Sequence, residues 1–114
     1  MTPKSVLRLR ILPLAAQAII DQARYYELKQ DIRLADRWET AVTKAILSLK
    51  GLPERGSLCH FSAQSLDGVR RLPVPQFQKY LLFYQIVRAT NTVLVINVLH
   101  GARDLEPLLS QSSF

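Results

Sequence analysis

The sequence predicts an α+β fold in which a helical hairpin packs on one face of a small, mainly antiparallel sheet, in the order β-α-α-β-β-β. Three observations carry that expectation. Apolar residues alternate near the start, recur at three- and four-residue steps from Leu14 to Lys50, and return to extended runs in the second half. The breaks between these segments are short, which makes consecutive elements neighbours. The 114 residues, 48% hydrophobic and 21% charged, suit one packed domain spanning 1–114.

Ser5–Leu12 reads as a half-buried strand, with Leu7, Leu9 and Ile11 on one face and Arg8 and Arg10 on a solvated other. Pro13 stops the strand and suits the first turn of a helix. From Leu14 to about Leu28, Ala15, Ala18/Ile19, Gln22/Ala23 and Tyr26 recur at helical spacing. A break at Lys29–Asp31 offers Asp31 as N-cap. The second helix runs from about Ile32 to Lys50 on a stripe of Leu34, Trp38, Ala41/Val42, Ala45/Ile46 and Leu49. Gly51 at C′ and Pro53 beyond it form a usual stop. Leu52–Ser65 reads as an irregular loop. Its adjacent Cys59 and His60 are poorly placed to serve as nucleophile and base on one substrate, and read as incidental loop residues.

Three strands follow: Leu66–Val74, Phe77–Arg88 and Thr92–His100. Ala89-Thr90-Asn91 joins the last two, with Asn91 suited to positive φ. After the last strand, Asp104 can cap a helical turn over Leu105–Leu109, and Arg103 can hold a carboxylate by a two-point contact.

The net charge is +6 and the pI about 9.9, which favours acidic partners, whether nucleic acid or protein. Cys59 is the only cysteine, so no intrachain disulfide forms; that suits a reducing cytosol and a cytoplasmic location. No zinc-type spacing, other metal motif, cofactor motif or phosphate-binding glycine loop is present. Arg8 and Arg10 interrupt the apolar run near the start, so neither a signal peptide nor a membrane span is expected.

The polar residues of the three-stranded meander are mostly basic. Arg70, Arg71, Lys79, Arg88 and, beyond the last strand, Arg103 lie among Tyr80, Tyr84 and His100. Cations interleaved with aromatics can hold phosphates and stack bases. A nuclease built from them would use Arg70 or Arg71, with Arg103, to stabilise phosphorane charge and His100 as general acid. Arg70 and Arg71 are neighbours on a strand, however, and point to opposite faces, so only one can line a given site.

The same strands are apolar on both parities. Phe77, Leu81, Phe83 and Val87 share one face of their strand; Tyr80, Leu82, Tyr84 and Ile86 share the other. Val93, Val95 and Leu99 alternate with Leu94, Ile96 and Val98 in the last. A sheet covered on one side should alternate apolar with polar. Two helices cover one face, so the other is expected to be a partner surface, crossed or extended at its edge by a second protein segment.

Five segments together resemble a known family. They are Pro13 with Ala15, Ala18 and Tyr25-Tyr26; Ile46-Leu47-Ser48-Leu49 followed by Pro53-Glu54-Arg55-Gly56; Gly68-Val69-Arg70-Arg71-Leu72-Pro73-Val74; Tyr80-Leu81-Leu82-Phe83-Tyr84-Gln85-Ile86; and Val98-Leu99-His100-Gly101-Ala102-Arg103-Asp104. In this order they resemble the RelE/ParE toxins of bacterial type II toxin–antitoxin modules, on the ParE-like (plasmid stabilisation) branch. The resemblance implies a toxin neutralised in a hetero-oligomer by a ParD-like antitoxin, whose acidic C-terminal segment wraps the helices and sheet. Ile19, Tyr26, Trp38, Tyr80, Leu82, Tyr84, Leu94 and Ile96 are then the candidate antitoxin contacts. Arg70, Arg71, Lys79, Arg88, His100 and Arg103 are the candidate target contacts.

RelE-like members are ribosome-dependent mRNA endonucleases with a basic site and a tyrosine or histidine near the last strand; ParE-like members inhibit DNA gyrase. Here the loop before the arginine strand has Arg55 but no lysine cluster, and no basic, tyrosine-containing tail follows His100. Both departures favour gyrase inhibition by binding. The alternatives are RNA cleavage by Arg70, Arg71, His100 and Arg103, and a degenerate module member that only binds antitoxin.

Overall fold

The computed structural model describes residues 7–101 and 105–110. In chain order they form β1 (Arg8–Ile11), α1 (Pro13–Leu28), α2 (Ile32–Ser48), β2 (Ser57–Leu58), β3 (Arg70–Val74), β4 (Phe77–Val87), β5 (Thr92–His100) and α3 (Leu105–Ser110). The sheet order is β1-β5-β4-β3-β2, with β1 parallel to β5 and the other pairs antiparallel. The expected α+β architecture holds. Among the described residues, no helix is long and apolar enough to cross a membrane.

Local chemistry sets the hairpin. Leu12 is extended before Pro13, which opens α1 without a lost hydrogen bond. Gln30 takes a φ of 60° to end the first helix, and the Asp31 carboxylate accepts from the Leu34 N–H at 3.0 Å to start the second. Ala35, Trp38, Ala41, Val42, Ala45 and Ile46 face inward on α2. The helix stops at Ser48 by tightening into three-residue turns (Leu49 N to Ile46 O, 3.1 Å), rather than through a left-handed Gly51.

The core has two layers, one on each sheet face. On the helix side, Trp38, Val42 and Leu49 pack on Leu72, Leu82, Tyr84, Val93, Val95 and Val98. On the opposite side, Phe83, Leu94 and Ile96 are buried against Leu12, Leu66, Val69 and Leu109. The expectation of an open second face is therefore corrected: the chain covers it with its own 59–69 segment and α3. Glu106 fastens the two together, accepting from the Ala63 N–H and the Ser62 hydroxyl, each at 2.9 Å.

Three further details depart from the alternation rule. The Leu66–Val74 strand begins only at Arg70, because Gln64–Leu66 is a 3₁₀ turn and Gly68 has a φ of 78°. The β3–β4 ladder shifts between Pro73 and Val74, and Phe77 turns to the helix side against Trp38, with ring centroids 5.3 Å apart. In β5, Phe83 faces Asn97 while Tyr84 faces Val95, which leaves Ile96 as an inserted residue. That bulge exchanges the faces of Val98 and Leu99. Asn97, 6% exposed, accepts the Val98 N–H on its own Oδ1 at 2.8 Å.

Candidate functional site

The basic residues of the meander do not converge. Arg70 lies opposite Tyr84 in the ladder, and His100 lies opposite Tyr80. The two tyrosines are four residues apart on β4, so the pairs are separated by about 13 Å along the strand. Arg71 points to the other face beside Cys59, whose thiol pKa is raised by burial and drawn partly back by the Arg71 charge. Arg103 lies outside the described residues. A phosphate held by Arg70 is thus out of reach of His100, and Arg71 is on the wrong face to help.

Arg70 has a structural task instead. Its Nη1 donates to the carbonyls of Gly56 at 2.7 Å and Glu54 at 3.1 Å. The Tyr84 hydroxyl donates to the Pro53 carbonyl at 2.7 Å and accepts from the Gly56 N–H at 2.9 Å. Burial is the largest influence on that phenol and raises its pKa. Outside this clamp, Arg88 pairs with Glu54 at 2.7 Å, an exposed contact of small energetic weight. Arg70 and Arg88 therefore both serve the Pro53–Gly56 segment. That segment was legible as a motif, but its attachment to Arg70, Tyr84 and Arg88, from 14 to 34 positions on, had no signal in sequence.

The His100 end of the sheet is different. Tyr80 and His100 meet edge to face at 5.2 Å, and Tyr80 packs on Trp38 at 5.0 Å. Between them and α1 lies a cleft of about 240 Å³, lined by Ala18, Asp21, Gln22, Trp38, Tyr80, Val98, Leu99 and His100. Asp21 and Gln22 were missed by sequence reading, since a polar pair on an amphipathic helix reads as a solvated face. Lys79 is exposed beside Tyr80, bordering a neighbouring depression with Tyr26, Phe77 and Gln78. Among the described residues no cluster of three His, Cys, Asp or Glu side chains could hold a metal ion.

Of the candidate partner contacts, Trp38, Leu82, Tyr84, Leu94 and Ile96 are at most 6% exposed and lie inside the chain's own core. Ile19, Tyr26 and Tyr80 are half-buried and reach the surface along α1 and β4. Large apolar side chains missed in sequence are more exposed: Leu28 at 83%, Ile32 at 68% and Tyr25 at 52% crowd the tip of the helical hairpin.

A family model described as the ParE toxin of the parDE type II toxin–antitoxin system matches residues 9–105. The chain belongs to the ParE toxin family. It is thus a toxin of a type II toxin–antitoxin system, as the five sequence segments implied. The ParE-type fold also matches the chromosomal ParDE toxin–antitoxin system of P. aeruginosa. There the TM-score is 0.67 at 12% identity, over 83% of this chain and 96% of the other. The RelBE2 toxin–antitoxin complex of Mycobacterium tuberculosis matches with a TM-score of 0.55 at 20% identity, over 84% of this chain and 99% of the other. At these identities the two structures speak to fold alone. A comparison with curated protein sequences gives no match.

Proposed function

We propose that this ParE-family toxin acts in the cytoplasm by binding DNA gyrase, and that a ParD-like antitoxin neutralises it in a hetero-oligomer. The observation that carries this reading is the dispersal of the basic residues among those the structure describes. Phosphoryl transfer needs a proton donor and charge-stabilising groups around one phosphate, whereas Arg70 is engaged in a clamp and His100 lies about 13 Å away along the strand. Binding imposes no such convergence. Exposed Arg71 and Lys79, with His100, remain as target contacts. Ile19, Tyr26 and Tyr80, continuous with the exposed hairpin tip, form the surface an antitoxin would bury.

The test sets DNA supercoiling by gyrase against cell-free translation, each titrated with purified toxin. Loss of supercoiling with translation intact supports the reading; the reverse result sinks it. The position of His100 in a cleft supports one second reading, cleavage of RNA with His100 as acid. That reading requires translation to fall, and His100→Ala to restore it. A chain silent in both assays, yet bound by its antitoxin, would be the degenerate member.

A further inference from the structure

We infer that the cleft between α1 and the His100 end of the sheet is an anchor pocket for one arginine side chain of the antitoxin. The inference rests on the proposal that an antitoxin partner exists, and names the chemistry of one contact.

The cleft is an exception to the chain's charge. The molecule carries +6, yet among the described residues the lining holds a carboxylate, Asp21, and no lysine or arginine. A phosphate or an acidic side chain would meet Asp21 as a like charge. A guanidinium meets it as a counter-ion with two parallel N–H donors.

The walls suit a flat cation. Tyr80 makes edge contacts with Trp38 and with His100, at interplanar angles of 67° and 83°. The three rings therefore form a folded aromatic wall, and the face of such a ring attracts a guanidinium through its quadrupole. Ala18 and Val98, on the helix side of the sheet, supply apolar surface for the methylene stem. Asp21 is held in place from one side, accepting from Gln17 Nε2 on Oδ1 at 2.7 Å. A carboxylate has about four acceptor positions, so this bond leaves capacity for an arginine fork. The volume of about 240 Å³ is far beyond what one bridging water needs.

An acidic antitoxin tail and an arginine anchor are compatible. The long-range field of a +6 toxin speeds approach of the tail. A single desolvated arginine in an aromatic pocket supplies register, the usual part of a hot-spot side chain.

The experiment titrates N-acetyl-arginine methylamide into the isotope-labelled toxin and follows amide and indole resonances. Saturable millimolar shifts centred on Asp21, the Trp38 indole, Tyr80 and His100 are expected, and at least a tenfold weakening in Asp21→Asn. N-acetyl-lysine methylamide should bind more weakly. The absence of shifts in the cleft, equal binding by Asp21→Asn, or tighter binding of guanosine monophosphate, which presents a similar donor pair, overturns the inference. Asp21 is exposed, so its variant should fold; an unchanged spectrum outside the cleft checks this. The titration uses the toxin alone and is independent of the gyrase assay. If no antitoxin neutralises the toxin, the functional proposal fails even where the arginine analogue binds.

Discussion

The Tyr84 hydroxyl sits 2.9 Å from the backbone nitrogen of Gly56, a residue 28 positions earlier, and fixes the strand-like segment after α2 to the middle of the sheet. The same oxygen donates to the Pro53 carbonyl, so one phenol serves two backbone groups. Tyr84→Phe keeps the ring and removes both bonds. It is expected to destabilise the fold by about 1–3 kcal/mol, read as a lower urea midpoint at unchanged m-value. Burial raises the phenol's pKa, so its folded form favours the protonated state. That contribution is complete below the unfolded tyrosine range and is lost as pH rises through the raised value. Above about pH 10, the wild type should therefore lose stability faster than Tyr84→Phe.

Gly56 is glycine for space. A Cβ there would stand 2.6 Å from the Tyr84 hydroxyl oxygen and 2.9 Å from the Arg71 carbonyl oxygen. Gly56→Ala is expected to lose about 1–3 kcal/mol through forced displacement of packed neighbours. Because both changes break the same contact, Gly56→Ala with Tyr84→Phe should lose less than the sum of the single variants. Strict additivity would show that the two residues act separately.

The adjacent arginines should separate cleanly. Arg70→Ala removes two bonds to carbonyls and is expected to lose about 1.5 kcal/mol. Exposed Arg71 should tolerate alanine within about 0.5 kcal/mol. Under the gyrase reading, Arg71→Ala weakens inhibition of supercoiling at unchanged thermal midpoint, while Arg70→Ala lowers the midpoint. Equal midpoints for the two variants would remove the structural role given to Arg70.

These two residues show where sequence reading stopped. Alternation placed Arg70 and Arg71 on opposite faces, and Pro13, Asp31 and Asn91 marked their boundaries through local chemistry. Such signals lie within a few residues of their effects. The inserted Ile96 does not, because a bulge is invisible until its partner strand is known. The cover over the second face was missed for a related reason. Phe61 lies in the segment read as an irregular loop, Leu66 at the first position of an expected strand and Leu109 at the end of a single expected helical turn; only the fold gathers them. The role of Arg70 depended on carbonyls 14 and 16 residues away, and no composition rule points there. The cleft at His100 was half legible: the sheet side was singled out, while Asp21 belonged to a helix face with no visible tie to it.

Glu106 makes the cover on the second face sensitive to acid. Its carboxylate takes the Ala63 N–H and the Ser62 hydroxyl, and these bonds hold its pKa below the ordinary carboxylate value. A depressed folded pKa contributes stability above the unfolded value, and that contribution is lost as pH falls through the folded one. Glu106→Gln cannot titrate, so its thermal midpoint should fall less steeply than the wild type's below about pH 4.5. Parallel pH profiles would show that Glu106 does not hold α3 down. At neutral pH, Leu109→Asp should release α3 by burying an unpaired charge among Leu12, Leu66 and Ile96. The uncovered Phe83, Leu94 and Ile96 would then form an exposed apolar patch. The expected readouts are dye binding to that patch and self-association in sedimentation, with the wild-type chain free of both because it covers this face itself.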